Sequence, residues 1–252
     1  MDQPFTIGGL TLRTDMRPAD WAMATARNFS DNVVGCLVPP IFAAYARVFH
    51  PALREDGERT EEVSWAEVAD ANGRLTHPAM QWPSITGSWR FLFSDHQPGL
   101  WDTPPREGSL PVRQAARLAR ILAAYTVIPE QCWFAVWEGF GGLGLPVENE
   151  EIPRMEMPAR SMLLLSGPLS AATTSLSEPS WLDQRAGLWW PRDRAWCVAT
   201  DVDLMTTYVG GTDECIATLV ADDELEVMKV SADHRLGWDG DSLNPPPAGQ
   251  RP

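Results

Sequence analysis

The chain has 252 residues, of which 44% are hydrophobic and 21% are charged, and its formal net charge at pH 7 is -14. This composition is typical of a globular protein and argues against general disorder. The acidic balance argues against binding to nucleic acid or to an anionic membrane, because phosphate groups would meet a chain of the same charge. Lys229 is the only lysine among the 20 basic residues, so a phosphate-loop lysine or a Schiff-base lysine is nearly excluded.

Apolar periodicity and capping residues predict helices and strands that do not alternate regularly along the chain. The clearest helix follows Ser109, which we expect to cap it, and has Pro111 in its first turn, where the missing N–H costs nothing. Aromatic and apolar runs such as CWFAVW are typical of buried strands. In chain order we predict a helix at 21–28, strands at 33–38 and 41–49, a loop at 54–62, a helix at 65–72, a loop at 94–111, a helix at 111–126, a strand at 132–137, a loop at 145–160, a strand at 162–165, a loop at 170–186, strands at 195–200 and 206–209, a helix at 213–220 and a strand at 225–230.

Strands outnumber helices in this order. The pattern predicts an α+β fold built on a mostly antiparallel sheet with a few packed helices. No long linker interrupts the chain, so we expect residues 1–238 to form a single domain. Residues 239–252 are rich in proline and in polar residues, and we expect them to be a disordered tail.

The stretch WFAVWEGFGGLGLP, residues 133–146, matches the dinucleotide-binding fingerprint at Gly139, Gly141 and Gly144. That site needs a helix directly after the glycines, because the free amide groups of the helix hold the pyrophosphate. Here Pro146 and several glutamates follow instead, so a helix cannot start and like charges would meet the phosphate. We therefore predict a strand that leaves the sheet through a turn, and we expect no cofactor.

We infer the location of the protein and the state of its cysteines from sequence patterns that the chain lacks. The amino-terminal residues lack the charged and then apolar pattern of a signal peptide, and no apolar run reaches the roughly 20 residues that span a bilayer. Cys36, Cys132, Cys197 and Cys215 lie far apart, without a C-x-x-C pair. We expect a cytoplasmic protein with no membrane partner and with reduced, buried thiols.

Tryptophan is unusually frequent, with 12 residues against 3 tyrosines. Trp133 and Trp137 lie an even number of residues apart on one predicted strand, so they share a face that can stack on a sugar, a base or another flat ligand. Trp190 belongs to a second cluster and precedes Arg192 and Arg194, which can clamp an anion. These five residues are the candidate ligand-binding residues. The alternatives are an indole-rich core and arginines that pair with neighbouring carboxylates.

Two further sets of residues could carry chemistry. Asp201 and Asp203 follow a predicted strand, and a D-x-D pair can hold a divalent metal through its oxygens. An acidic strand end is the more ordinary outcome, so we expect no metal. His50 and His77 are each followed by Pro-Ala and could do acid–base work if they met beside a carboxylate. The sequence does not show whether they meet, and no known motif identifies a catalytic residue.

The phrases VSWAEVADANGR, HPAMQW, IPEQCWFAVWEG and LWWPRDRAWCVATDVDLMTTYVGG resemble those of a family of uncharacterised proteins from actinobacteria. The arginine-rich, lysine-poor composition fits the high-GC genomes of such organisms. The resemblance extends over roughly residues 63–226 and implies a single-domain cytosolic protein. It carries no established activity, so it implies no catalytic residue.

Three functions remain open at this point. The first is a non-catalytic binding or regulatory protein, of the accessory or immunity type, whose acidic and tryptophan-bearing surface engages a protein partner. The second is a metal-dependent enzyme or binder that acts on a nucleotide sugar or a small anionic metabolite through Asp201, Asp203 and Arg192 or Arg194. The third is a small-molecule receptor that uses only the face of Trp133 and Trp137. The oligomeric state is open as well.

Overall fold

The structure, a computed structural model, describes residues 4–92 and 95–248. Within these residues the chain forms five α-helices and twelve strands. The helices are α1 Asp20–Thr25, α2 Trp65–Ala71, α3 Trp82–Thr86, α4 Val112–Leu122 and α5 Asp213–Val220. The strands are β1 Thr6–Ile7, β2 Leu10–Leu12, β3 Ala44–Phe49, β4 Ala52–Asp56, β5 Arg59–Val63, β6 Cys132–Trp137, β7 Met155–Met157, β8 Arg160–Gly167, β9 Leu188–Pro191, β10 Cys197–Ala199, β11 Thr206–Gly211 and β12 Val227–Val230.

Ten of the strands form one sheet, in the order β1-β2-β8-β6-β9-β10-β11-β3-β12, with β7 paired to β8. All of its strand pairs are antiparallel. Strands β4 and β5 form a separate two-stranded hairpin. Strand β3 pairs with β11 and β12, which lie much later in the chain, whereas β1 and β12 lie at opposite edges of the sheet. The predicted α+β fold with a mostly antiparallel sheet is confirmed.

The sheet separates two apolar layers, because successive residues of a strand point to opposite faces. In β6, Phe134 and Val136 belong to the cluster that packs α4 and α5. Ala135, between them, belongs to the cluster on the other face, together with Trp21 of α1 and with Val34. The continuously apolar sequence of β6 therefore reflects a strand that is covered on both faces.

A third apolar cluster fixes α2 and α3 against the end of β3. Trp65, Trp82 and Trp101 are fully buried, and their rings follow one another with centroid separations of 5.3 and 5.2 Å. Phe49, the last residue of β3, lies 5.1 Å from the ring of Trp65. Aromatic pairs at these distances stabilise the fold beyond the burial of their area. The cluster therefore holds α2 rigidly beside β3.

Several predicted elements have the expected bounds. Strand β6 and helix α5 match the prediction, and the Thr212 side chain caps α5 by accepting from the amide of Cys215. Ser64 caps α2 in the same way by accepting from the amide of Glu67. The glycine-rich run after Trp137 forms turns, and no helix begins there. The predicted exit from the sheet is confirmed.

Other predictions of secondary structure are wrong. Residues 34–36 form a 3-10 helix, and β3 begins only at Ala44. The predicted loop 54–62 belongs to the hairpin β4–β5, which turns at Gly57 with a φ of 64°. Its strands carry charges along their exposed length, so they lack the apolar alternation by which a strand is recognised. The prediction also missed α3, β1, β2, β7 and β9.

Ser109 does not cap α4. The residue at the cap position is Pro111, which makes no side-chain hydrogen bond to the helix. The Ser109 hydroxyl instead accepts from the amide of Arg185 and donates to the carbonyl of Asp183. Ser109 therefore ties two distant loops together, which its position in the sequence cannot show.

Residues 239–248 pack against the domain, which differs from the predicted disorder. Asp241 and Asn244 are 8% and 3% exposed. Asp241 accepts from the amide of Gln81, and Asn244 exchanges hydrogen bonds with the backbone of Leu75. These two side chains satisfy the backbone of a neighbouring loop, which explains why the segment is ordered. Residues 249–252 of the predicted tail lie outside the described residues.

Two other expectations concern the membrane and the thiols. In the parts of the chain that the structure describes, no helix is long and apolar enough to cross a membrane. All four cysteines are free and buried, which agrees with the expectation of buried thiols. Burial raises the pKa of each thiol above its ordinary value. The cysteines therefore stay protonated and unreactive near neutral pH.

Candidate functional site

A cavity of about 360 Å³ lies where β3 and β11 meet helix α2. This volume is within the range of small-molecule binding sites. Its lining includes buried side chains, and Asp203 is exposed at its mouth. The polar and aromatic residues of the lining include Arg47, Trp65, Gln81, Asp201, Asp203 and Trp238.

Arg47 is the central feature of this cavity. It lies in β3 between Tyr208 of β11 and Met228 of β12, and it is only 2% exposed. Its Nη1 donates to the carbonyl oxygens of Pro78 at 2.9 Å and Met80 at 2.8 Å. Its Nε has no hydrogen-bond partner. Within the described residues no carboxylate oxygen lies within 4.0 Å of a guanidinium nitrogen of Arg47, so Arg47 forms no ion pair there.

Burying a charge without an ion pair lowers the free energy of unfolding by several kcal/mol. Two aromatic rings offset part of this loss, because the guanidinium carbon of Arg47 lies 4.6 Å from the ring centre of Phe49 and 5.5 Å from that of Trp65. Burial lowers the pKa of Arg47, while the charges of Asp241 and Glu226 oppose that shift. An arginine keeps its proton in proteins, so the cavity contains a fixed positive charge.

Three other buried polar atoms near Arg47 have no hydrogen-bond partner. They are Nε2 of Gln81, the hydroxyl of Tyr208 and Nε2 of His234. The ring of His234 lies 6.3 Å from that of Tyr208. Burial, together with the charge of Arg47, lowers the pKa of His234 to about 4, so His234 is neutral at pH 7. Arg47, Gln81 and Tyr208 therefore each have a donor group that no acceptor satisfies.

Arg160 contacts three residues that line the cavity, Asp201, Asp203 and Phe29. Its Nε and Nη2 donate to the two carboxylate oxygens of Asp201 at 3.1 and 3.0 Å, and Nη2 lies 3.3 Å from Asp203. Its guanidinium carbon lies 5.0 Å from the ring centre of Phe29 and 5.1 Å from that of Trp137. An arginine thus engages both aspartates of the D-x-D pair. No group of three or more His, Cys, Asp or Glu in the described chain could hold a metal ion.

The three tryptophans that we predicted as ligand-binding residues do not line this cavity. Trp133 and Trp190 are cross-strand partners in β6 and β9, but Trp190 is fully buried and packs edge-on against Trp21 at 5.9 Å. Trp133 borders a separate cavity of about 300 Å³. Trp137 comes nearest to the Arg47 cavity, through its contact with Arg160. A binding role for the three stays a prediction.

The two predicted arginines lie on the surface. Arg192 donates to the side chain of Gln131 at 2.7 Å, and the guanidinium carbon of Arg194 lies 5.7 Å from the ring centre of Trp21. Asp193, between them, accepts from Thr126 and from the amide of residue 127 and pairs with neither arginine. Both arginines are exposed and lie outside the Arg47 cavity. Their role as an anion clamp also stays a prediction.

The two histidines of the repeated phrase have different partners. His50 is fully buried between the carbonyl of Arg106 at 2.6 Å and the hydroxyl of Thr207 at 2.9 Å. Burial lowers the pKa of His50 to about 4. His77 lies 3.0 Å from the carboxylate of Asp241. The described contacts therefore do not bring His50 and His77 together around one carboxylate.

Arg47 was not among the residues predicted from sequence, although the sequence contains a signal for it. Arg47 stands within AYARVF, in a predicted strand whose other residues are apolar, and all six residues are buried. A charged residue in a fully buried strand is rare unless it is paired or has a function. Trp65 and Gln81 could not be linked to it, because their proximity depends on how α2 and the following loop pack on the sheet.

No protein-family model, curated protein or solved structure matches this chain. The resemblance to actinobacterial proteins therefore stays a prediction. The residues of the cavity and of the surface are the basis on which a function can be inferred.

Proposed function

We propose that this protein is a non-catalytic binder of a small organic anion, which it holds in the cavity around Arg47. The observation that carries this proposal is the buried guanidinium, which lines the cavity without an ion pair among the described residues. A carboxylate or phosphate oxygen would supply both the missing negative charge and the missing acceptor. The unpartnered Nε2 of Gln81 offers a second donor in the same cavity.

The walls of the cavity suit an apolar, flat body attached to the anionic group. Trp65 and Trp238 line it together with Leu236 and Phe29. Ligand sites of this kind combine apolar and aromatic walls with a few polar groups that fix the orientation of the ligand. The volume of about 360 Å³ limits the ligand to the size of a metabolite.

The lining favours binding over chemistry. Among the described residues that line the cavity there is no histidine, cysteine, serine or lysine. The carboxylates of Asp201 and Asp203 are engaged by Arg160. Acid–base or nucleophilic catalysis needs a titratable or nucleophilic group within hydrogen-bond reach of the substrate. We therefore assign a binding role to the cavity.

The test compares anions with their neutral amides. Benzoate and benzamide, and indole-3-acetate and indole-3-acetamide, are added separately while thermal unfolding and titration heats are recorded. We expect an anion to raise the melting temperature and its amide to leave it unchanged. Arg47→Met should lower the affinity for the anion by about 100-fold or more, because it removes the charge that the ligand pairs with. Arg192→Ala, which removes an exposed arginine, should leave the affinity unchanged.

Two results would contradict the proposal. One is an anion affinity that survives Arg47→Met and is lost in Arg192→Ala, which would place the site at the arginines predicted from sequence. The other is the absence of any shift with a wider panel of carboxylates and phosphates at millimolar concentration.

A second candidate function is the engagement of a protein partner, and Trp181 favours it. This residue is 80% exposed, although tryptophan is usually buried. Exposed tryptophans are enriched among the residues that dominate protein interfaces. Pull-down from a lysate of the source cells with wild-type protein and with Trp181→Ala tests this idea. A partner lost only in the variant supports it, whereas identical captured sets argue against it.

A further inference from the structure

A second cavity, which we call the acidic groove, lies between the hairpin β4–β5, the first turn of α4 and residues 223–226. Its volume is about 560 Å³. Arg113 is the only cationic side chain among the described residues that line it. The groove is lined by the carboxylates of Glu61, Glu62, Asp223, Glu224 and Glu226.

Two of these carboxylates form no ion pair within 4.0 Å among the described residues, although the charge of Arg47 favours the ionised form of Glu226. Asp223 forms no ion pair within 4.0 Å there. Glu226 accepts from the amides of Trp65 at 2.7 Å and Ala66 at 2.8 Å. Burial raises the pKa of Glu226 above its ordinary value. A positive charge next to Glu226 would therefore stabilise its ionised form.

The other three carboxylates each have an arginine partner, and the distance to that arginine differs among them. Glu224 lies 2.6 Å from Arg117, and Glu61 lies 2.9 Å from Arg54. Glu62 has only a contact of 3.6 Å to Arg113, whose side chain is 68% exposed. Exposed pairs of this kind contribute little to stability, so Arg113 is easily displaced by a better-placed cation.

Gln114 gives an independent reason to expect a ligand in the acidic groove. It is 4% exposed and lines the groove. Its Nε2 donates to Glu62 at 3.0 Å, which fixes the orientation of the amide, and its Oε1 has no hydrogen-bond partner. A buried acceptor without a donor lowers the stability of the folded protein. The groove therefore offers several acceptors and lacks the donors to match them.

We propose that the acidic groove binds the guanidinium group of an arginine on a peptide segment of a partner protein. A guanidinium brings five N–H donors and a permanent positive charge, which fits the amide oxygen of Gln114 and the carboxylates of Glu62 and Asp223. No three acidic groups of the described chain are placed to hold a metal ion. The acidic groove and the cavity of Arg47 share no lining residue, although the charge of Arg47 acts on Glu226.

The surface beside the acidic groove favours a peptide over a free small cation. Glu55, Asp56 and Glu58 are exposed at the end of the hairpin β4–β5 together with a single cation, Arg59, so this end is acidic on balance. A segment with more than one basic residue can use this surface, whereas a single small cation cannot.

The experiment uses the full chain and a synthetic peptide with two arginines, Ac-Ala-Arg-Ala-Ala-Arg-Ala-amide. Titration calorimetry measures the binding of the peptide to the protein. The matched control peptide has citrulline in place of arginine, which keeps the shape and removes the charge. Agmatine, which has one guanidinium and one ammonium group but no peptide backbone, serves as the free small cation. We expect the arginine peptide to bind about tenfold more tightly than agmatine, and the citrulline peptide not to bind. Binding should weaken as salt is raised.

Variants then locate the site. Asp223→Asn should lower the affinity for the peptide about threefold or more, whereas Glu150→Gln, which removes the same charge from another exposed loop, should not. Gln114→Met should lower it about tenfold while the protein stays folded. Arg47→Met should change peptide affinity less than Asp223→Asn does, because Arg47 lines the other cavity and acts on the groove only through its charge on Glu226. Equal binding of agmatine and peptide, binding of the citrulline peptide, or full affinity in both Asp223→Asn and Gln114→Met would overturn the proposal.

Discussion

Two arginines are buried in the part of the chain that the structure describes, and they differ in what surrounds them. Arg185 is 4% exposed and Arg47 is 2% exposed. Arg185 places all three guanidinium nitrogens in hydrogen bonds, to the carbonyls of Thr173 and Leu110 and to both oxygens of the Asp183 carboxylate. Arg47 has two carbonyl acceptors on one nitrogen, a weak contact of 3.5 Å on the second and none on Nε.

The contrast separates a structural arginine from one that is available to a ligand. Arg185 joins the loops before α4 and β9, because its partners come from three separate stretches of chain. Its hydrogen-bonding capacity is filled by the protein itself. Arg47 has a hydrogen-bond donor, Nε, without an acceptor, and it lines a cavity. A buried charge that the fold does not neutralise is a signal of function, because its retention lowers stability without another gain.

The largest difference should appear in stability. Arg185→Met leaves two buried carbonyls without donors and removes the partner of Asp183, so we expect a loss of about 3 kcal/mol in the free energy of unfolding. Arg47→Met also removes two donors, but it relieves a buried charge, so its loss should be less than half as large. Urea unfolding of both variants checks this order. Equal losses would mean that Arg47 is as structural as Arg185.

Acidic pH should lower the stability of the folded protein through His50, on which the charge of Arg47 acts. Burial lowers the pKa of His50 from 6.5 to about 4, and the charges of Arg106 and Arg47 act in the same direction. Between these values the unfolded chain binds more protons than the folded one, so stability is lost as the pH falls from 6.5 to 4. The contribution of His50 is about 3 kcal/mol.

The control for this pH effect is an exposed histidine. Urea unfolding at pH 7 and pH 4 should show a smaller acid-induced loss for His50→Asn than for the wild type. His96→Gln should keep the full loss, because His96 is exposed. A loss that is the same in wild type and His50→Asn would show that His50 is not the group responsible.

A conservative change at Arg47 tests geometry rather than charge. Arg47→Lys keeps the positive charge but replaces the planar donors with a single ammonium group, which cannot reach an acceptor through two nitrogens. We expect the affinity for the anionic ligand to fall about tenfold, less than for Arg47→Met. Titration calorimetry with the anion that binds the wild type measures it. An unchanged affinity would mean that the ligand pairs with charge alone.

The sequence predicted the fold better than the site, for a physical reason. Strand β6 and helix α5 were recognisable because apolar spacing and capping residues are local features. The hairpin β4–β5 was missed because its charged residues hide the strand period. The Arg47 cavity depends on contacts between β3, α2 and Gln81, which are far apart in the chain. Only the charge inside AYARVF was visible locally.

The smallest expected effect compares two buried tyrosines. The Tyr45 hydroxyl donates to the carbonyl of Pro39 and accepts from the amide of Phe42, each at 3.0 Å, whereas the Tyr208 hydroxyl beside Arg47 has no partner. Tyr45→Phe should cost about 1–2 kcal/mol of unfolding free energy, because it leaves those backbone groups unsatisfied. Tyr208→Phe should be neutral or stabilising by up to about 1 kcal/mol, because it removes a hydroxyl that gains nothing from burial. Urea unfolding of the two variants measures the difference. A loss for Tyr208→Phe equal to that for Tyr45→Phe would show that the hydroxyl beside Arg47 already has a hydrogen-bond partner. The evidence for unsatisfied donors around this cavity would then come from Arg47 and Gln81 alone.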